Sequence, residues 1–141
     1  MESILDKSLV ESLIPQKAPF VMVDKLFSFT ENAIIAGLTI PADNIFVQEG
    51  MFTEPGIIEH MAQSVALYTG YQYYLKNEPA PTGYIGSIKD VEVLELPLAG
   101  DDLITEVTVL QEFMGITLVD IVTKRNGTLI ANGQMKTVLA K

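Results

Sequence analysis

Cysteine is absent from this sequence, and histidine occurs only once, at His60. Without cysteine the chain can form no disulfide, no thiolate nucleophile and no cysteine metal site, and a single histidine cannot build a multi-histidine site. The composition therefore argues against redox and zinc chemistry, and we expect no bound metal.

Positive charge is also scarce, because 9 lysines and arginines face 18 aspartates and glutamates, which gives a net charge of −9. Such a charge repels phosphate backbones and anionic membrane surfaces, and the one local cluster of cations is Lys124-Arg125. Neither nucleic acid nor a membrane surface is expected as a partner.

Long apolar runs are missing as well, since no stretch reaches the roughly 18 uninterrupted apolar residues of a membrane-spanning helix. The start of the chain carries Glu2, Asp6 and Glu11 and no basic leader, so it does not resemble a secretory signal. We therefore expect a cytoplasmic protein. Hydrophobic residues at 48% against 19% charged leave apolar surface for a subunit interface, which predicts a homodimer or a higher homo-oligomer.

The most informative stretch is Glu54–Leu75, which predicts one long central helix. Pro55 fits the first turn of a helix, and Glu54 places negative charge beside the positive helix end. At about 100° per residue, a broad and mostly apolar face is formed by Ile58, Met61, Ala62, Val65, Tyr68 and Thr69. The opposite side carries Glu59 and Gln63, and His60 lies between the two faces. A helix that is apolar nearly all round is expected to be enclosed by other structure.

The rest of the chain is predicted to form mainly strands. A short amphipathic helix is predicted over residues 3–14, where Pro15 ends it. Alternation of apolar residues predicts strands at 19–30, 33–40, 84–96, 103–113, 115–124 and 129–139, with irregular loops at 41–53 and 77–83. Asn126-Gly127 predicts a tight type I′ hairpin. A length of 141 residues suits one domain, so we expect a single α+β domain over residues 1–141, with an antiparallel sheet wrapped around the helix.

Three stretches carry a family resemblance. Residues 14–24 (IPQKAPFVMVD) resemble an opening of leucine-proline-histidine-arginine-x-proline followed by an apolar run and aspartate. Residues 58–63 (IEHMAQ) resemble a glutamate-x-methionine-alanine-glutamine helix signature, and residues 86–103 resemble a glycine-containing strand followed by a proline-x-x-glycine-aspartate turn. Together, in this order, they resemble the hot-dog fold, and more narrowly the 3-hydroxyacyl-acyl-carrier-protein dehydratases (FabZ-like proteins) of fatty-acid and polyene synthesis.

The resemblance implies removal of water from a 3-hydroxyacyl thioester, in a tunnel at a dimer interface. The substrate would be carried on the phosphopantetheine arm of an acyl carrier protein or of coenzyme A, with no other cofactor. Glu59 matches the family's catalytic carboxylate, and Gln63, one helical turn on, is placed to orient it. Gly56 is the candidate N–H donor to the thioester carbonyl. His60 is a further candidate catalytic residue.

The sequence also departs from the family pattern. Met51 occupies the loop in which the common dehydratases carry their catalytic histidine, and Gln16 occupies the position of another family histidine. A branch with this shorter loop occurs in aryl-polyene pathways (ApeP-like proteins), and the chain resembles that branch best. In that branch similar subunits are thought to pair, so a hetero-oligomer with another dehydratase-like subunit is an alternative to the homodimer.

Three functions therefore stay open. The chain is a working dehydratase, or a dehydratase-like subunit that binds acyl chains or completes a partner's site, or a hot-dog thioesterase. Three of the proposed site residues also have a structural alternative. Glu59 could serve only as a helix-start acid, and His60 and Gln63 could serve only in packing. The tyrosines of the helix could line an acyl-binding wall or simply fill the core.

Overall fold

The computed structural model of the chain describes residues 2–139, and for Tyr84 it describes the backbone alone. The described elements, in chain order, are α1 (Lys7–Ser12), β1 (Lys25–Thr30), β2 (Ala33–Thr39), β3 (Val47–Gln48), β4 (Met51–Phe52), α2 (Glu54–Leu75), β5 (Gly83–Val93), β6 (Asp102–Phe113), β7 (Ile116–Arg125) and β8 (Thr128–Leu139).

Six of the strands form one antiparallel sheet in the order β1-β2-β6-β7-β8-β5. Helix α2 packs across the inner face of this sheet, and its buried side chains meet those of the strands in one apolar core. The short β3 and β4 form a separate hairpin. The predicted α+β class, with a sheet wrapped around one long helix, is confirmed.

The hairpins at the ends of β7 follow directly from local sequence. Asn126 and Gly127 have φ angles of 50° and 79°, as the predicted type I′ turn between β7 and β8 requires. Met114 and Gly115, at 53° and 80°, make a similar turn between β6 and β7. These two turns join the three long strands β6, β7 and β8, which lie next to one another in the sheet.

Helix α2 has the predicted bounds, with Pro55 in its first turn, and it is enclosed as expected. The direction of deepest burial differs from the prediction. The fully buried side includes Met61, Val65 and Tyr68 of the predicted face, but it also includes His60, Ser64 and Leu67, whereas Ile58 and Ala62 are only partly buried. The helix is turned so that its polar seam, rather than the centre of the predicted apolar face, points at the sheet. Hydrogen bonds available on that side, described below, explain this orientation.

Three predicted elements are corrected. Strand β1 begins at Lys25, not at residue 19, because the backbone of Met22 bonds to side chains of α2 instead of to a strand. Helix α1 begins only at Lys7, where the Asp6 carboxylate caps it by accepting from the Leu9 N–H at 2.8 Å. The loop at 41–53 is not wholly irregular, since the left-handed backbone at residues 49 and 50 turns β3 back onto β4.

Between residues 2 and 139 no helix has both the length and the apolar character needed to cross a membrane.

Candidate active site

Glu59 lies on the second turn of α2, where its carboxylate is held by the side chain of Gln63. The Gln63 Nε2 group donates to Glu59 Oε2 at 2.6 Å, the contact expected between residues one helical turn apart. Gln63 is itself fixed by the segment that precedes β1. Its Oε1 accepts from the Met22 N–H at 2.6 Å, and its Nε2 also donates to the Phe20 carbonyl at 2.8 Å. The carboxylate is therefore oriented by an amide that cannot turn away.

A cavity of about 340 Å³ runs along the side of α2 that carries Glu59. The helix contributes small or short side chains to this wall, including Ala62, Ala66 and Gly70. The other walls come from the segment 12–16, the loop before β5 and the end of β8. Among the lining residues in the described part of the chain, Glu59 is the one with an ionisable side chain.

The far end of the cavity is set by a close approach of two backbones. A Cβ atom at Gly70 would overlap the carbonyl of Leu13, so only glycine lets this segment lie against the helix. Along α2, Gly70 and Gln63 are separated by roughly 10 Å. The segment from Leu13 to Phe20 thus passes alongside the helix and covers the cavity from one side.

His60 points the other way, into the core between α2 and the sheet. Its Nδ1 lies 2.6 Å from the Met22 carbonyl oxygen, and its Nε2 lies 2.7 Å from Thr105 Oγ1. Thr105 Oγ1 is in turn 2.7 Å from Thr123 Oγ1. Because a carbonyl can only accept, Nδ1 carries the proton and Nε2 accepts from the Thr105 hydroxyl. Both ring nitrogens are used within the protein.

Burial keeps this imidazole neutral. Loss of solvation lowers the pKa of His60 from 6.5 to about 4, and the bond to Met22 and the charge of Asp24 oppose the shift only in part. His60 is not among the residues that line the cavity beside Glu59. The structure therefore brings Gln63, but not His60, to the predicted carboxylate.

Gly56 sits in the first turn of α2, three residues before Glu59. The first intrahelical bond runs from the Ile57 N–H to the Thr53 carbonyl, so the Gly56 N–H belongs to the unpaired donors of the helix start. A Cβ at Gly56 would lie 2.6 Å from Phe52 Cε1 and 2.7 Å from Phe46 Cβ. Tight packing against these rings explains the glycine. The cavity lining does not include it, so its role as carbonyl donor stays a prediction.

Met51 lies in β4, at the tip of the small hairpin, with a 39% exposed side chain. It forms a single β-bridge with Leu98 and does not line the cavity. The position at which the common dehydratases carry a histidine thus presents a thioether at the surface, and a thioether cannot take up a proton.

Three of the four tyrosines of α2 belong to an aromatic cluster, and none of the four lines the cavity. The rings of Tyr68 and Tyr71 contact Phe29 of β1 with centroids 5.5 and 5.0 Å away, and Tyr71 stacks on Tyr74. The Tyr68 hydroxyl donates to the Glu31 carbonyl, and burial raises the pKa of this tyrosine. Core packing, one of the two interpretations of these residues, describes Tyr68, whereas Tyr74 is 47% exposed.

Comparison with known proteins decides the family. The profile of the ApeP-like family, described as ApeP dehydratase, matches residues 8–140 of this chain. The chain belongs to the ApeP-like dehydratase family. The ApeP-like chain is also 29% identical over 137 residues to the 3-hydroxyacyl-[acyl-carrier-protein] dehydratase FabZ of Vibrio cholerae, a match covering 90% of this chain and 86% of that protein.

Solved structures confirm the hot-dog fold of this ApeP-like protein. The dehydratase heterocomplex ApeI:P from Xenorhabdus doucetiae superposes with a TM-score of 0.86 at 19% identity, over 94% of this chain and 91% of that one. A hypothetical thioesterase with coenzyme A from Streptococcus pneumoniae superposes with a TM-score of 0.66 at 8% identity, over 82% and 84%. The predicted resemblance to FabZ-like and ApeP-like dehydratases is confirmed, and a dehydratase-like function follows from the family.

Sequence reasoning missed much of the cavity of the ApeP-like chain. Gln16, Thr82 and Thr137 line it together with Glu59, although they lie far apart in sequence. Only Gln16 gave a signal, as the substitute for a family histidine. The two threonines carry no motif, and only the fold brings them to the same space.

Proposed function

We propose that this ApeP-like protein supplies Glu59 as the acid and base of a 3-hydroxyacyl thioester dehydratase. The observation that carries the proposal is the cavity, in which Glu59, held by Gln63 at 2.6 Å, is the one ionisable side chain of the described lining. We propose the phosphopantetheine arm of an acyl carrier protein as the carrier of the substrate, in keeping with the carrier named for the Vibrio cholerae relative.

The reaction can be written with this one group. The Glu59 carboxylate takes the proton from C2 of the acyl chain, and the electron pair of that C–H bond forms the C2–C3 double bond. The C3–O bond breaks, and the resulting Glu59 carboxylic acid returns the proton to the departing hydroxyl, which leaves as water. The products are the enoyl thioester and water, with the carboxylate regenerated. Negative charge that builds on the thioester oxygen needs a donor, for which the Gly56 N–H stays our candidate.

A partner-dependent dehydratase is the second candidate, and a specific observation favours it. His60 is sealed in the core and Met51 cannot titrate, so the described residues bring no second acid or base to Glu59. A neighbouring subunit would then supply the missing group. The fold neighbour from Xenorhabdus doucetiae is itself a heterocomplex.

The edge of the main sheet offers a place for such a subunit. Strand β5 is an edge strand, so one side of its backbone has no partner within this sheet. Ile85 and Ile88 are 42% and 48% exposed along it, and Ile85 also borders the cavity. A second copy paired along β5 would cover this apolar surface and lie beside the cavity. We propose a homodimer through this edge, with a related subunit as the alternative occupant.

The test is an assay of the purified protein with a 3-hydroxyacyl thioester on an acyl carrier protein and on coenzyme A. Formation of the enoyl thioester is followed by its ultraviolet absorbance and by mass spectrometry. We expect Glu59→Gln to lower the rate by about 10²–10⁴, the usual contribution of a general acid or base. A matched control is Glu54→Gln, which changes an exposed carboxylate at the start of the same helix. Full activity of Glu59→Gln would rule out the mechanism.

The same assay separates the alternatives. Activity that appears only after a second dehydratase-family subunit is added would establish the partner-dependent function. Release of free thiol from the acyl thioester, without enoyl product, would identify a thioesterase instead. For the dimer, Ile88→Lys should lower the molar mass measured by light scattering from that of two chains to that of one, and an unchanged mass would exclude the β5 edge.

A further inference from the structure

The carboxamide of Gln16 contains a buried oxygen that has no partner. Its Oε1 is shielded from solvent and accepts no hydrogen bond from any residue that the structure describes. A buried acceptor that is left unpaired costs the folded protein roughly 1–3 kcal/mol, which is why such atoms are rare. It is the one side-chain atom of this kind found among the described residues. An unpaired acceptor on a residue that lines a cavity points to a ligand that brings a donor.

Gln16 lines the same cavity as Glu59. Its segment is fixed at both ends against α2, by the contact of Leu13 with Gly70 and by the 2.8 Å bond from Gln63 to the Phe20 carbonyl. Lys17 adds a further restraint, because its Nζ donates to the carbonyls of Glu11 and Ile14 at 3.0 Å. Gln16 is therefore held beside the helix face that carries the carboxylate.

The missing donor identifies a part of the substrate. An acyl chain is apolar, and its thioester group offers only acceptors. A 3-hydroxyacyl chain differs by one hydroxyl, which has a single proton to donate and two lone pairs to accept with. If that proton is directed to Gln16, the lone pairs stay free for the proton that Glu59 delivers. The amides of the pantetheine arm are the other donors on such a substrate, but every acyl chain carried on that arm has them.

We propose that Gln16 Oε1 accepts a hydrogen bond from the 3-hydroxyl group of the substrate, so that Gln16 selects 3-hydroxyacyl chains over saturated ones and aligns the departing hydroxyl. This inference rests on the proposed dehydratase function. It assigns to Gln16 a role in specificity that is separate from the proton transfer at Glu59.

The test compares two ligands that differ only in the hydroxyl. They are a 3-hydroxyacyl and a saturated acyl pantetheine of equal chain length, each with an amide in place of the thioester so that neither reacts. Dissociation constants are measured by calorimetry with the purified oligomer. The wild-type protein should bind the hydroxylated ligand about threefold to tenfold more tightly, the range of one net hydrogen bond.

Three variants separate recognition from packing. Gln16→Met keeps the length of the side chain but removes the acceptor, and it should bind the two ligands equally. Gln16→Glu restores acceptor oxygens and should regain the preference. Gln111→Met makes the same substitution at an exposed position of β6 outside the cavity and should leave the preference unchanged. Without ligand, Gln16→Met should be as stable as the wild type or more stable, because an unpaired buried oxygen is removed.

Each other outcome has a defined meaning. A preference that persists in Gln16→Met would overturn the inference. Equal weakening of both ligands by Gln16→Met would place the donor on the pantetheine arm and also overturn it. If the wild-type protein binds both ligands without preference, the inference fails while the proposed function stands. If the wild-type protein binds neither ligand, the proposed function fails, and this inference, which rests on it, fails with it.

Discussion

Two adjacent residues of the central helix, Glu59 and His60, have opposite environments. His60 lies in the core, where its Nδ1 donates to the Met22 carbonyl and its Nε2 accepts from the Thr105 hydroxyl. Glu59 lies at a cavity, with Oε2 held by Gln63. The two side chains point about 100° apart around the helix axis. Hydrogen bonds within the protein occupy both ring nitrogens of His60, whereas the carboxylate of Glu59 lies where a ligand can contact it.

This difference explains why the more reactive residue type is the less suitable one here. Histidine has the pKa expected of a general base, but burial lowers the pKa of His60 to about 4 and keeps the ring neutral. Both of its nitrogens already join α2 to the sheet and to the segment before β1. A residue acts in catalysis only if its polar atoms can reach the substrate, and in this molecule the orientation of the helix gives that access to Glu59.

Removal of His60 should produce the largest loss of stability. In His60→Ala the Met22 carbonyl and the Thr105 hydroxyl lose their partners and a cavity is left in the core, which predicts a loss of roughly 3–5 kcal/mol. Urea denaturation followed by circular dichroism measures it. Glu59→Gln, the control on the cavity side, should change stability by less than about 1 kcal/mol. Similar losses in the two variants would contradict the contrast between the two sides.

Acid should weaken the same interaction without a mutation. The pKa of His60 is about 4 in the folded protein and 6.5 when exposed, so the unfolded chain takes up a proton first as the pH falls. The resulting stability is fully present above pH 6.5 and is lost between pH 6.5 and about 4, by roughly 3 kcal/mol in total.

Denaturation curves at several pH values across this range test the prediction. Carboxylates also titrate near its lower end, so the comparison is with His60→Gln, which has no imidazole. The wild type should lose more stability than this variant as the pH falls. Parallel pH profiles would show that His60 titrates normally in the folded protein.

Gln63 contacts both the segment before β1 and the carboxylate of Glu59. Its replacement should therefore lower the stability less than the loss of His60 does, but it should change both the stability and the dehydration rate. In Gln63→Leu the Met22 N–H and the Phe20 carbonyl lose their bonds, which predicts a loss of roughly 2–3 kcal/mol. Glu59 also loses its orienting amide, so the dehydration rate should fall by about tenfold or more. An unchanged rate, measured where the variant is fully folded, would show that Glu59 needs no orienting group.

Most of the fold could be predicted from local sequence. The bounds of α2 follow from Pro55 in the first turn, and the turns of the sheet follow from pairs such as Asn126-Gly127, whose positive φ angles few other residues adopt easily. The alternating strands were placed to within a few residues. The prediction is wrong where the backbone bonds to side chains that are far away in sequence instead of to a neighbouring strand. Met22 is an example, because it is predicted to lie in a strand but its backbone bonds to His60 and Gln63.

The candidate site could be predicted only in part. The glutamate-x-methionine-alanine-glutamine motif identified the pair Glu59 and Gln63, because residues one turn apart in a helix are neighbours whatever surrounds them. The direction in which His60 points could not be read in the same way. Its position between a polar and an apolar side of the helix is compatible with either the core or the cavity. Its partner Thr105 in β6, and Thr123 in β7, which contacts Thr105, lie far from the helix in sequence.

By itself, the sequence determined the central helix, the strand order along the chain and the family, because propensities, turns and motifs act over a few residues. The tertiary structure alone decided how the helix is rotated against the sheet. That rotation places His60 against Thr105 and leaves Glu59 and Gln16 at one cavity, and it depends on partners about forty residues apart in the chain. Burial and hydrogen bonding over such separations are properties of the folded molecule.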